Sequence, residues 1–135
     1  MKIRIISALL VTIAAAMLCG CKTMVERIVI ITDTRQNIPV ANKPFNFVES
    51  PDLEPLVKPG KPVRVTLDRN GEVHVRLREA FGWASIVVDG TYYVASLQAA
   101  DIRSGGQFRL YGPRPLTDQT TNTYPSKYLL EIRKP

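Results

Sequence analysis

Cysteine and histidine are nearly absent from this 135-residue chain, and their placement excludes more than their number does. The two cysteines, Cys19 and Cys21, both precede Lys22, so everything from Lys22 onward lacks a thiol. That region has no disulfide, no cysteine nucleophile and no cysteine metal ligand. His74 is the only histidine, which rules out a three-histidine metal centre and leaves carboxylate-only sites open. A Ser-His-Asp arrangement would have to use His74, and no Gly-x-Ser-x-Gly elbow accompanies it. Glycine loops of the Walker A or Gly-x-Gly-x-x-Gly type are missing too. The expectation is a protein that is not an enzyme and holds neither metal nor diffusible cofactor.

Helical periodicity is equally scarce. Beyond Gly20 no stretch repeats apolar residues at i, i+3 and i+4. Instead, ten prolines and eight glycines divide short runs rich in Val, Ile, Thr and Tyr. Such spacing predicts an all-β domain, a small antiparallel sandwich of about seven or eight strands in the prealbumin or immunoglobulin style. The strands fall at Val25–Thr32, Phe45–Val48, Val63–Leu67, Glu72–Leu77, Trp83–Val88, Thr91–Ala95, Gln107–Tyr111 and Lys127–Arg133. A turn is expected over Asp33–Asn37, and a polar loop over Gly112–Ser126. The segment Ser50–Pro62 holds Pro51, Pro55, Pro59 and Pro62 and reads as a surface loop or edge. Ser96–Arg103 fits a helical turn and a continued strand equally well.

The segment Val63–Leu77 reads as a hairpin, with two candidate loops. A two-residue turn at Asn70-Gly71 would set Leu67 opposite His74 and mix the faces. A three-residue loop, Arg69-Asn70-Gly71, closes on Asp68 and Glu72 and pairs Leu67 with Val73, Val65 with Val75 and Val63 with Leu77. Because a one-residue slip turns a strand inside out, the apolar match favours the longer loop, with Gly71 in the left-handed region.

In that register Arg64 opposes Arg76, Thr66 opposes His74, and Arg78 continues the row. Arg64, His74, Arg76 and Arg78 are therefore the candidate anion-facing surface. The plainer reading neutralises them with Glu49, Glu54, Glu79 or water. Trp83, Tyr92 and Tyr93, with Tyr111 and Tyr124, are the candidate aromatic contacts for a sugar or peptide, although strand aromatics also fill cores. Tyr92 and Tyr93 must face opposite sides of a regular strand.

The formal net charge is +6, and it falls by two if Lys2 and Arg4 depart with a leader. So mild an excess is no nucleic-acid footprint. It is compatible with attraction to anionic headgroups. The start of the chain has the three parts of a secretory signal: charged Met1-Lys2-Ile3-Arg4, apolar Ile5–Met17, then Leu18-Cys19-Gly20-Cys21. The apolar stretch Ile5–Gly20 is shorter than the roughly 20 residues that span a bilayer core.

Leu18-Cys19-Gly20-Cys21 resembles the lipobox of bacterial lipoproteins. The resemblance implies cleavage between Gly20 and Cys21, a thioether-linked diacylglycerol on Cys21 and acylation of the new amino terminus. Two such attachments make an anchor stable where one chain binds only marginally. In proteobacterial lipoproteins an Asp after the acylated Cys retains the protein in the inner membrane, so Lys22 implies the periplasmic side of the outer membrane in a Gram-negative host. The organisation expected is a cleaved leader over 1–20, a lipidated tether over 21–24 and one sandwich domain over 25–135.

Within the domain, Ile38-Pro39-Val40-Ala41-Asn42-Lys43-Pro44-Phe45, then Thr66-Leu67-Asp68-Arg69-Asn70-Gly71-Glu72-Val73, then Ser104-Gly105-Gly106-Gln107-Phe108 resemble phrases of prealbumin-like domains of the carboxypeptidase-regulatory type. That resemblance implies a fold and no activity. The functional expectation is a membrane-anchored envelope lipoprotein serving as a non-catalytic binding or accessory subunit. Its partners would be membrane lipid through Cys21 and an envelope protein, with no nucleic acid. A glycan- or anionic-polymer-binding module and a prophage-type surface-blocking lipoprotein are the alternatives.

Overall fold

The computed structural model describes residues 23–50, 60–115 and 124–135. The leader with Gly20 and Cys21, residues 51–59 of the proline-rich segment, and residues 116–123 of the segment expected as a loop lie outside the described residues. The described residues form β1 (Met24–Asp33), β2 (Ile38–Pro39), β3 (Pro44–Glu49), β4 (Val63–Thr66), β5 (Glu72–Arg78), β6 (Gly82–Val88), β7 (Thr91–Leu97), β8 (Gly106–Pro115) and β9 (Pro125–Arg133), with one short helix, α1 (Ala99–Ser104). The fold is all-β and antiparallel, as the turn spacing predicts. Every expected strand is present, and the two-residue β2 is an addition. Ser96–Arg103 divides between both of its readings, strand to Leu97 and helix from Ala99. At the two ends of the loop expected over Gly112–Ser126, β8 runs to Pro115 and β9 starts at Pro125.

All the strands share one hydrogen-bonded sheet in the order β2-β1-β9-β8-β7-β6-β3-β4, and β5 lies on the β2 flank of β1. Such a path curls into a half-barrel around a single core. Alternation along each strand sends one set of side chains inward: Val29 and Ile31, Phe45 and Phe47, Ala84 and Ile86, Leu130 and Ile132. Each fully buried large apolar side chain contributes about 1.5–3 kcal/mol. The helix α1 adds Ile102 to the same cluster. Its carbonyl end is held by Arg27, which donates from Nε to the Ile102 carbonyl and from an Nη to the Arg103 carbonyl, both at 2.9 Å.

The turn after β4 has the expected local geometry and a different context. Gly71 N–H donates to the Asp68 carbonyl at 3.0 Å, Asp68 N–H donates to the Glu72 carbonyl at 2.9 Å, and Gly71 has φ +70°. The Asp68 carboxylate pre-forms the loop by accepting the N–H groups of Asn70 and Glu72 at 2.7 and 3.0 Å. Beyond that turn the two strands part. Val65 pairs with Phe45 and Val63 with Phe47 on β3, whereas Leu77, Val75 and Val73 pair with Val25, Arg27 and Val29 on β1. The expected Leu67–Val73, Val65–Val75 and Val63–Leu77 pairs are therefore corrected. Apolar alternation fixes which face of a strand is buried and is silent on its neighbour. On β3, Phe45 and Phe47 give Val65 and Val63 larger apolar partners than β5 would offer them.

Candidate functional site

With β4 and β5 apart, the expected arginine row is dispersed over two ladders. Arg64 is exposed opposite Asn46, Arg76 opposite Glu26, and His74 opposite Ile28, so no like-charged pair faces across a ladder. Arg78 turns over the end of the sheet, and its Nε lies 3.4 Å from Glu49 Oε1. His74 and Arg76 do meet around one cavity of about 260 Å³, together with Glu26, Arg27 and Pro135, and Arg64 is not part of it.

The aromatic candidates also separate. Trp83 stands outward on β6 and is 46% exposed, with the Phe81 ring edge-on at 5.6 Å. Tyr93 faces inward, where its ring meets Tyr128 at 4.6 Å and 71°. Tyr92 takes the opposite, outer face of β7, as regular alternation requires, and is half-buried. Trp83 lines an open groove of about 610 Å³ across β6, β7 and β8, whose other side chains include Val94, Ser96, Gln107, Arg109 and Tyr111. That volume is within the range of about 300–1,000 Å³ usual for ligand sites. Arg109 is fixed at its wall, because one Nη donates to Thr34 Oγ1 at 3.0 Å and to the Ser126 carbonyl at 3.4 Å.

Thr34 ties that wall to an ion pair at the far end of β1. Its hydroxyl donates to the Lys127 carbonyl at 2.6 Å, and Lys127 Nζ sits 3.1 Å from Asp33 Oδ2. Burial pushes the Asp33 carboxyl up, but the Lys127 ammonium and the N–H groups of Gln36 and Arg35 outweigh it and hold the pKa below the usual carboxylate range. The hydrogen bond to Asp33, assisted by Tyr128, raises Lys127 above the ordinary lysine value. Desolvation raises the Tyr128 phenol.

At the opposite end the chain enters the sheet without slack. The Glu79 N–H donates to the Thr23 carbonyl at 2.9 Å, and Met24 pairs with Arg78 as the first ladder position of β1. The first strand thus begins at Met24, one residue before the expected Val25, and Thr23 is hydrogen-bonded to Glu79. The same pole gathers the β3–β6 end, where Val48 pairs with Trp83 and the Ser50 N–H donates to the Phe81 carbonyl at 2.9 Å.

Sequence reasoning named Glu49 among the carboxylates that neutralise the arginine row without expecting its burial, and it missed the Gln107/Arg109 wall. The burial had a signal: in Phe45-Asn46-Phe47-Val48-Glu49 the period places Glu49 on the buried face, where a carboxylate needs a partner. The wall had none, since it depends on which strands become neighbours. Comparison of the chain with protein-family models, curated proteins and solved structures yields no match, so its functional reading rests on its own residues and geometry.

Proposed function

We propose that this chain is a bacterial envelope lipoprotein, cut between Gly20 and Cys21, anchored by lipid on Cys21 and acting as a non-catalytic binding or accessory subunit of an envelope assembly. The charged and apolar leader ending in Leu18-Cys19-Gly20-Cys21 carries the anchored reading, and the Glu79–Thr23 hydrogen bond supports a domain held close to it. That bond leaves Lys22 as the one residue between the lipid-bearing position and the folded sheet. A domain held so closely works on partners at the membrane surface. One residue of extended chain adds only about 3.4 Å of reach.

Among the described residues, β4 leaves one edge unladdered for a protein partner. β4 (Val63–Thr66) forms its ladder with β3 on one side, and β5 turns away from the other. Strand edges of this kind accept an added strand, with main-chain hydrogen bonds supplying affinity. Arg64 and Thr66 are exposed along β4 and would select the incoming sequence. The groove at Trp83 and Arg109 favours the second reading, a module for glycan or anionic polymer.

The test is crosslinking in intact cells, followed by purification of the tagged protein beside a Cys21→Ala control. Metabolic labelling with an alkyne fatty acid should mark the native chain and not the control. One stoichiometric envelope protein captured from the native chain alone supports the accessory subunit. Absence of label on Cys21, or equal capture by both chains, refutes the anchored reading.

A further inference from the structure

We infer that the pole carrying Thr23 seats itself in the bilayer interface through an apolar rim, with Phe81 and Trp83 entering the headgroup region beside the anchor. The inference rests on the anchored reading above, and it names the surface that reading leaves open.

The rim is defined by short covalent and hydrogen-bonded paths. Glu79, which donates to the Thr23 carbonyl, is followed by Ala80-Phe81-Gly82-Trp83. Four extended residues span at most about 14 Å, so the Trp83 backbone stays within that distance of Glu79. Val48 is the ladder partner of Trp83, and Met24 follows Thr23 directly. Met24 (42% exposed), Val48 (43%) and Trp83 (46%) are large apolar side chains left in the open at one pole. Two flanks of the pole are represented: Met24 lies on β1, and the other two on the β3–β6 side.

A lipid surface is the occupant that these features fit. Trp and Phe are amphipathic or apolar rings that collect at headgroup depth, where an indole can bury its face and keep its N–H wet. The Phe81 ring, edge-on to Trp83 at 5.6 Å, braces the indole and widens the apolar face. Exposed cations flank the rim: Lys61 follows Gly60 at the Glu49–Arg78 cluster, and Arg103 is bound to Glu79 at 3.2 Å. Lysine and arginine in that position reach headgroup phosphates while their stems cover apolar surface. The chain preceding Thr23 joins the fold at this pole, and it includes Cys21, the proposed acylation position. A protein partner would need to fit between the pole and the anchor. Lipid is already there.

Trp83 is the only tryptophan, so its emission reports this pole alone. Full-length protein purified from membranes is placed in phosphatidylcholine/phosphatidylglycerol vesicles with or without brominated acyl chains. The expected result is a blue-shifted emission that bromine quenches strongly and aqueous acrylamide barely reaches. Phe81→Ser, which keeps the fluorophore, should weaken the bromine quenching and restore acrylamide access. Vesicle flotation separates the two readings. Protein that floats with the vesicles but shows acrylamide-accessible, bromine-insensitive emission overturns the seated rim and leaves the anchor intact. Cys21→Ala protein that floats and is quenched like the native chain keeps the rim and refutes the anchor's necessity.

Discussion

Arg78 Nε lies 3.4 Å from Glu49 Oε1, which links β5 to β3 across the place where the sheet does not close. The Glu49 side chain is 6% exposed and that of Arg78 24%, and Glu49 Oε2 also accepts the Gly60 N–H at 2.7 Å. At one end the Asp68–Glu72 turn joins β4 to β5, and at the other this pair ties β5 to β3 through side chains. Glu49→Ala removes the pair and strands Arg78 beside the core. The expected loss is about 2–4 kcal/mol, less than for a fully buried pair because Arg78 keeps some water. Urea unfolding of the variant would read it as a lower midpoint at unchanged slope. Glu49→Gln, which can still accept from Gly60, should lose about half as much.

Gly71 and Gly90 both have positive φ, but only one is crowded. A Cβ on Gly71 would meet the Ile31 carbonyl oxygen at 2.7 Å, whereas a Cβ on Gly90 would meet nothing within 4 Å. Gly90→Ala should cost about 1–2 kcal/mol, the left-handed penalty alone. Gly71→Ala should cost clearly more, because the Gly71 carbonyl also accepts the Ile31 N–H at 2.9 Å and the turn cannot retreat. Equal losses in thermal unfolding would show that the turn does not bear on β1.

The Asp33–Lys127 pair sets a pH dependence with a defined sign. The folded carboxyl titrates below its unfolded value, so its contribution is full above the unfolded pKa and is lost as pH falls through the folded one. Lys127, raised in the fold, contributes fully below its unfolded pKa and loses that contribution as pH rises through the folded value. Melting temperatures between neutral pH and pH 3 should therefore fall more steeply for the native chain than for Asp33→Asn. Parallel curves would remove the pair from the acid response.

Tether length gives a functional prediction. Inserting about ten Gly/Ser residues after Lys22 would add about 17 Å of root-mean-square reach. Anchoring should persist, while quenching of Trp83 by brominated lipid and crosslinking to the membrane-level partner should both decline. Unchanged quenching and capture would mean that the short connection is incidental.

Strand positions were legible in the sequence because alternation and turn residues are local properties. Ile28 to Thr32, Phe45 to Val48 and Lys127 to Arg133 needed only their own neighbours to be read. The Asp68–Glu72 loop was legible for the same reason. What followed the loop was not: Val65 found Phe45 and Val75 found Arg27, at opposite ends of the sheet path. Only the Arg64 end of the arginine row depended on that pairing and separated with it, while His74, Arg76 and Arg78 stay together on β5. Trp83 was legible as a candidate because it is a lone large aromatic. Its companions Gln107 and Arg109 became neighbours only when β7 and β8 assembled beside β6.

The placement of β1 has a mechanical consequence. In the proposed anchored state the lipid would also be a handle, and a tug from the membrane would enter the domain at Thr23 and run along β1. That strand is interior to the sheet, laddered to β5 over Met24–Ile30 and to β9 over Ile28–Asp33. Traction along its axis loads both rows of hydrogen bonds in shear, many at once, where an edge strand would peel away bond by bond. The sheet is thus strung so that the pulled thread is the one gripped from both sides.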